Sequence, residues 1–128
     1  MTSEANMYNG PVIDAVGVSR VFGSGDAVVT ALSVISLTVE RGDFIAVTGR
    51  SGSGKTTLLN LLSGLDKPSS GSVMFDGKDL AEFSETNLVE MRRHKIAFVF
   101  QSFGLMPLLS AQENVELPLH IGGVSWRE

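Results

Sequence analysis

The sequence predicts an α/β fold in which an antiparallel β layer leads into a strand, a phosphate loop and a helix. Three observations carry that prediction. Phe44, Ile45, Ala46 and Val47 form a short, wholly apolar run of the kind shown by a strand buried on both faces. Residues 49–56, GRSGSGKT, fit G-x-x-x-x-G-K-[ST] at every fixed position. Upstream of both, residues 12–39 are rich in Val, Ile, Leu and Thr and are broken by turn residues, which suits β structure.

Taken in order, residues 1–10 read as a flexible N-terminal tail. Residues 12–22 alternate as a strand, and Gly23, Ser24, Gly25 and Asp26 form a turn. Residues 27–39 most simply give two strands, and Arg41, Gly42 and Asp43 turn into the apolar strand at 44–47. Helix formers resume at Lys55, so residues 56–62 can run as a helix with Leu58, Leu59, Leu61, Leu62 and Leu65 on its buried side. Lys67, Pro68, Ser69, Ser70 and Gly71 separate that helix from a strand at 72–76, and Asp76-Gly77 is a hairpin-type turn. Ser84 caps a helix that runs to about Arg93, with Glu85 in its first turn and Arg92 and Arg93 in its last. Residues 96–100 form a second fully apolar strand. Ser110 and Glu113 make an S-x-x-E capping box for a helix that should stop near Pro118. Gly122 and Gly123 break the chain, and residues 125–128 read as the first turn of another helix.

The spacing of the glycine loop follows from what a triphosphate requires. Without a Cβ, Gly49, Gly52 and Gly54 let successive N–H groups turn inward around phosphate oxygens. The helix that follows points its unpaired N–H groups and its dipole at the same anion. Lys55 would then place a point charge on the β- and γ-phosphates, and the Thr56 hydroxyl would be a Mg²⁺ ligand. The bland alternative is a glycine-rich turn before an ordinary core helix. With Gly at about 7% of residues, the full pattern arises by chance in roughly half a percent of chains this long.

Composition narrows the class. A chain of 128 residues, 43% hydrophobic and 19% charged, is of one-domain length and globular rather than disordered. Its net charge of −4 and the absence of any basic cluster beyond Arg92, Arg93 and Lys95 argue against a nucleic-acid partner. With no Cys there is neither a disulfide framework nor a thiolate metal site, and His94 and His120 are far apart in sequence. No apolar run approaches bilayer length and the N-terminus lacks a basic n-region, so a membrane role would run through a partner.

In their order the motifs resemble those of the nucleotide-binding subunit of ABC transporters, over almost the whole chain from about Val12. Arg20-Val21-Phe22-Gly23 matches the loop whose aromatic residue stacks on adenine, and GRSGSGKT is the P-loop in the wording this family prefers. LDKPSSGSVMFDGKDL looks like the strand and turn after the P-loop helix, and IAFVFQ ends in the Q-loop glutamine, Gln101. The segment FVFQSFGLMPLLSAQENVELPL looks most like the lipoprotein-release and macrolide-export branch, whose members pair with a membrane permease.

The resemblance implies a P-loop NTPase fold of ABC type with an N-terminal antiparallel β layer, a partial nucleotide-binding domain over residues 11–128. It implies Mg-ATP as ligand, bound by Gly49, Arg50, Ser51, Gly52, Ser53, Gly54, Lys55, Thr56 and Thr57. Phe22 would stack on the base with Val28 and Ala31 as apolar neighbours. The alternative for Phe22 is a core aromatic on a strand. Gln101 would be catalytic, approaching the attacking water and the Mg²⁺ beside Thr56; the alternative is a polar residue at a strand end. Phe103, Leu105, Met106, Leu108 and Leu109 are either a permease-facing patch or core, and Glu113 reads as a helix cap rather than a catalytic carboxylate.

By the same resemblance, the partners are permease subunits and a second nucleotide-binding domain in a head-to-tail dimer, with a cytoplasmic position at the inner face of the membrane. The sequence contains no LSGGQ-type signature, no apolar strand ending in Asp-Glu and no switch histidine; Asp76, Asp79, His94 and His120 all come too early in the chain to supply them. It therefore reads as the N-terminal half of an ABC ATPase, truncated before the helical subdomain and the rest of the core sheet, and expected not to hydrolyse ATP by itself. A remnant that binds nucleotide or a partner without turnover is the alternative. A P-loop kinase would need an arginine-bearing lid, and the only arginines after the loop are Arg92, Arg93 and Arg127.

Overall fold

A computed structural model describes residues 8–125. The chain divides into two compact units, one ending at Phe83 and the other beginning at Ser84.

The first unit is built on a four-stranded antiparallel sheet of order β2-β1-β3-β4, formed by β1 (Ile13–Phe22), β2 (Val29–Val39), β3 (Ser70–Phe75) and β4 (Lys78–Asp79). The expected β layer is present. Its alternation, however, is re-phased: the β1 ladder shifts between Ala15 and Val18, with Gly17 at φ 58 in the bulge. The extra residue lets both Ala15 and Val18 face inward, at 1% and 0% exposure. Residues 27–39 do not form two strands but one, β2, bent at Val34 (φ 46), where a second irregularity lets the strand follow β1. The Gly17 N–H released by the bulge donates to Ser36 Oγ at 2.9 Å, so the bend does not strand a donor. Asp76 and Gly77, both at positive φ (48 and 75), make the tight turn from β3 to β4, whose backbone twist matches that of the flanking strands.

Helix α1 (Lys55–Leu62) packs on β1 and β2. Leu58, Leu61 and Leu62 are its buried residues, and each such side chain taken from water contributes roughly 1.5–3 kcal/mol. Leu59 and Leu65 are not on the buried side as expected, since each is 43% exposed. Leu59 falls at 100° from Leu58 around a helix and so turns off the sheet-facing stripe, and Leu65 lies beyond the helix end. After α1 the N–H groups of Leu65 and Asp66 both return to the Asn60 carbonyl, at 2.9 and 3.2 Å.

Two apolar segments depart from expectation. Residues 44–47 and 96–100 form no strand. A strand exists by pairing its N–H and C=O groups with a neighbour, and neither segment has such a ladder among the described residues. Phe44 and Val99 are correspondingly open, at 98% and 94%, while Val47, Ile96 and Phe98 are half-buried.

The second unit contains α2 (Glu85–His94) and α3 (Ala111–Ile121). Ser84 caps α2 by accepting from Asn87 N, with Arg92, Arg93 and His94 in the last turn. The capping box at α3 is complete: Ser110 Oγ accepts from Glu113 N, and Glu113 Oε2 accepts from Ser110 N at 2.7 Å. Helix α3 continues past Pro118 to Ile121. Proline removes its own N–H bond and crowds the carbonyl four residues back, but the last turn is held by Gly122 N donating to Pro118 O at 2.9 Å. Gly122 then caps the helix and Gly123 turns the chain at φ 94. The expected helix start at 125–128 lies almost wholly outside the described residues.

Candidate functional site

The glycine loop opens α1. Gly54 is the N-cap, at φ 91 and ψ 6, and provides no side-chain cap. A glycine here therefore offers the first-turn N–H groups no side-chain oxygen, the arrangement that suits an anion site. The loop is closed by Ser53 N donating to Arg50 O at 3.1 Å. Lys55 is folded back over it, its Nζ donating to the carbonyls of Gly49 (2.9 Å) and Arg50 (2.7 Å) and reaching Ser53 Oγ at 3.4 Å. The ammonium thus stands at the mouth of the loop with its position fixed by backbone oxygens. Ser51, Gly52, Ser53 and Thr56 are exposed, and Gly54, Lys55 and Thr57 are half-buried.

The packing around the loop excludes a side chain at two of its glycines. A Cβ at Gly49 would lie 2.5 Å from Ser53 Oγ, and one at Gly54 would lie 2.5 Å from Ala31 O and 2.8 Å from Leu32 Cδ2. The donor set matches a polyphosphate: backbone N–H groups, one ammonium and the exposed Thr56 hydroxyl at the first turn.

Phe22 lies at the end of β1, 41% exposed, so it is not a core aromatic. Arg20, two residues earlier, pairs with Leu32 across the ladder, and Leu32 touches the Gly54 position. Phe22 is thereby placed at the loop end of the sheet. The Arg20 guanidinium lies over the Phe22 ring, 4.4 Å from its centroid, and forms a two-pronged pair with Asp66. Sequence reasoning missed Arg20 and Asp66. The i, i+2 spacing on a strand was a readable signal for Arg20, since such residues share a face. Nothing local marked Asp66. Val28 is exposed and Ala31 half-buried.

In the second unit Gln101 is exposed in a turn after residues 96–100. Phe103, Leu105, Met106 and Leu108 are exposed and Leu109 is half-buried, so this stretch is not core within the described structure. Asn114, also unforeseen, shapes it: its Oδ1 accepts from Met106 N, and its Nδ2 lies 2.9–3.2 Å from the carbonyls of Met106, Leu109 and Ser110. Among the described residues no helix is long and apolar enough to cross a membrane.

A glycine loop of this shape, set between an antiparallel layer and a helix N-terminus, defines a P-loop protein of the nucleotide-binding class. The sequence matches the family described as ABC transporter over residues 32–128. It is 44% identical over 118 residues to the macrolide export ATP-binding/permease protein MacB of Hyphomonas neptunium, covering 92% of this chain and 18% of that protein. It is 41% identical to an uncharacterized ABC transporter ATP-binding protein of Thermotoga maritima, covering 91% of this chain and 50% of that one. The fold matches the dimeric, post-hydrolysis structure of the ATP-binding cassette MJ0796 bound to ADP and Pi, with a TM-score of 0.82 and 39% identity over 90% of this chain and 51% of that one. The chain belongs to the ABC transporter family. It spans about a fifth of the length of the first of these relatives and about half of the other two.

Proposed function

We infer that the chain is the ATP-binding part of an ABC transporter, holding Mg-ATP on residues 49–57 and serving a membrane permease in the complete protein. The observation that carries this reading is the loop itself: a glycine N-cap that no side chain could replace, with Lys55 pinned across it by two carbonyls. Lys55 faces the β- and γ-phosphates, the first-turn N–H groups of α1 hold phosphate oxygens, and Phe22 offers its open ring to the base. The exposed Thr56 hydroxyl would hold a Mg²⁺, which would supply charge neutralisation at the phosphates. Gln101, in the second unit, is the candidate for orienting the attacking water.

The relatives' names, which join ATP-binding to permease, and the dimeric cassette support a permease partner and a paired cassette. The exposed side chains of Phe103, Leu105, Met106 and Leu108 are then the surface toward the permease, with the chain working at the inner face of the membrane.

The test is labelling of the purified chain by an ATP photoprobe. Lys55→Ala removes the charge-assisted bonds to the phosphates and is expected to abolish labelling. Labelling unchanged from the parent chain would remove the P-loop from the proposal.

A further inference from the structure

Phe22 is held as well as exposed. One face of its ring is covered by the Arg20 guanidinium, whose Cζ is 4.4 Å from the ring centroid. That guanidinium is fixed in turn: Nε donates to Asp66 Oδ2 at 2.8 Å and Nη2 to Asp66 Oδ1 at 2.9 Å. Asp66 is anchored at the far end of α1, its N–H returning to Asn60 O at 3.2 Å and its Oδ1 accepting from Lys67 N at 2.8 Å. A continuous set of contacts therefore runs from the helix that opens on the phosphate loop to the aromatic ring at the end of β1.

A planar cation seated on one face of a ring blocks that face to any other stacking partner and draws ring electron density toward itself. The opposite face is left for a flat, electron-rich ligand. The two-pronged carboxylate pair keeps the guanidinium from leaving with thermal motion, as a single flexible ammonium would. We propose that Arg20 is a positioning residue for the nucleobase: with Asp66 it locks the Phe22 ring so that one defined face receives the base. This rests on the reading of Phe22 as the stacking platform. Helix α1 then acts at both ends, with its N-terminus on the phosphates and its C-terminal extension, through Asp66 and Arg20, setting the base platform.

The experiment compares affinity for ATP with affinity for inorganic tripolyphosphate, which carries the phosphates and no base, in the full chain. Phe22→Ala is expected to weaken ATP by about 5- to 150-fold and to leave tripolyphosphate unchanged. Arg20→Met is expected to weaken ATP by about 2- to 5-fold, again without effect on tripolyphosphate. Arg20→Lys, which keeps the charge and loses the fork, should stay below the parent chain for ATP. The double variant Phe22→Ala, Arg20→Met should bind ATP no more weakly than Phe22→Ala alone, because Arg20 acts through the ring.

Parallel loss of both ligands in Arg20→Met would mean a general structural or charge role and would overturn the proposal. So would full additivity in the double variant, or ATP affinity in Arg20→Met equal to the parent while Phe22→Ala is impaired. If Phe22→Ala itself binds ATP like the parent chain, the stacking role of Phe22 fails and the proposal with it.

Discussion

Gly54 sits so close to the carbonyl of Ala31 that an added Cβ would lie 2.5 Å from that oxygen, and its φ is 91. Sheet and phosphate loop meet at this point, so the loop's shape is dictated by β2 as much as by its own sequence. Gly54→Ala should destabilise the first unit, the left-handed backbone alone accounting for roughly 1–3 kcal/mol and the clash adding to it, and should abolish ATP binding. Gly42→Ala isolates the backbone contribution, because Gly42 is at φ 85 with nothing within 4 Å of the added Cβ. Denaturant unfolding of the two variants checks this; equal losses of stability would mean that the Ala31 contact has no weight.

The leucines of α1 give a second comparison. Leu61 is 1% exposed and Leu59 is 43% exposed, although they lie two positions apart on one helix. Leu61→Ala is expected to cost about 2–5 kcal/mol through lost burial and the cavity left behind, while Leu59→Ala should stay within about 1 kcal/mol. The measurement is the same unfolding titration. Comparable losses at the two positions would show that Leu59 is buried in solution by another surface.

The capping box of α3 predicts a pH response. Ser110 donates its hydroxyl and its N–H to the Glu113 carboxylate, both at 2.7 Å, and these bonds hold the Glu113 pKa below its ordinary value of 4.5. A carboxylate whose pKa is depressed by folding stabilises the folded form above its unfolded pKa, and that contribution is lost as pH falls through the folded value. The start of α3 should therefore fray only in acid, below the ordinary range of glutamate. Glu113→Gln keeps an acceptor and removes the titration, so its Ser110 amide resonance should not move over the same pH range. An identical pH profile in the two proteins would assign the transition to another group.

Turnover is the fourth expectation. Residues 44–47 and 96–100 present exposed apolar side chains such as Phe44 and Val99 and form no strand ladder among the described residues, and such segments invite aggregation. Hydrolysis of a bound triphosphate also needs a water-positioning carboxylate and further positive contacts on the γ-phosphate, which supply most of the acceleration. The 128-residue chain should bind ATP and release no phosphate, and should melt less cooperatively than the same chain extended by the C-terminal half of a cassette relative. Phosphate release equal to that of the extended chain, with Lys55→Ala as the blank, would overturn this.

By itself the sequence determined the elements whose cause is local. The glycine loop and its helix, the Ser84 cap, the Ser110–Glu113 box and the Asp76-Gly77 turn were all legible, because each depends on residues within a few positions of one another and on the φ values or side-chain bonds those residues allow. What required partners distant in the chain was decided only by the tertiary structure. The bulge at Gly17 and the bend at Val34, which join residues 29–39 into one strand, are matters of register between β1 and β2. Residues 44–47 and 96–100 have the composition of strands, but composition cannot supply the neighbour whose hydrogen bonds make a strand. The contact of Arg20 with Phe22 and Asp66, 46 residues farther along, exists because the end of α1 returns to β1, and no spacing in the sequence encodes that return.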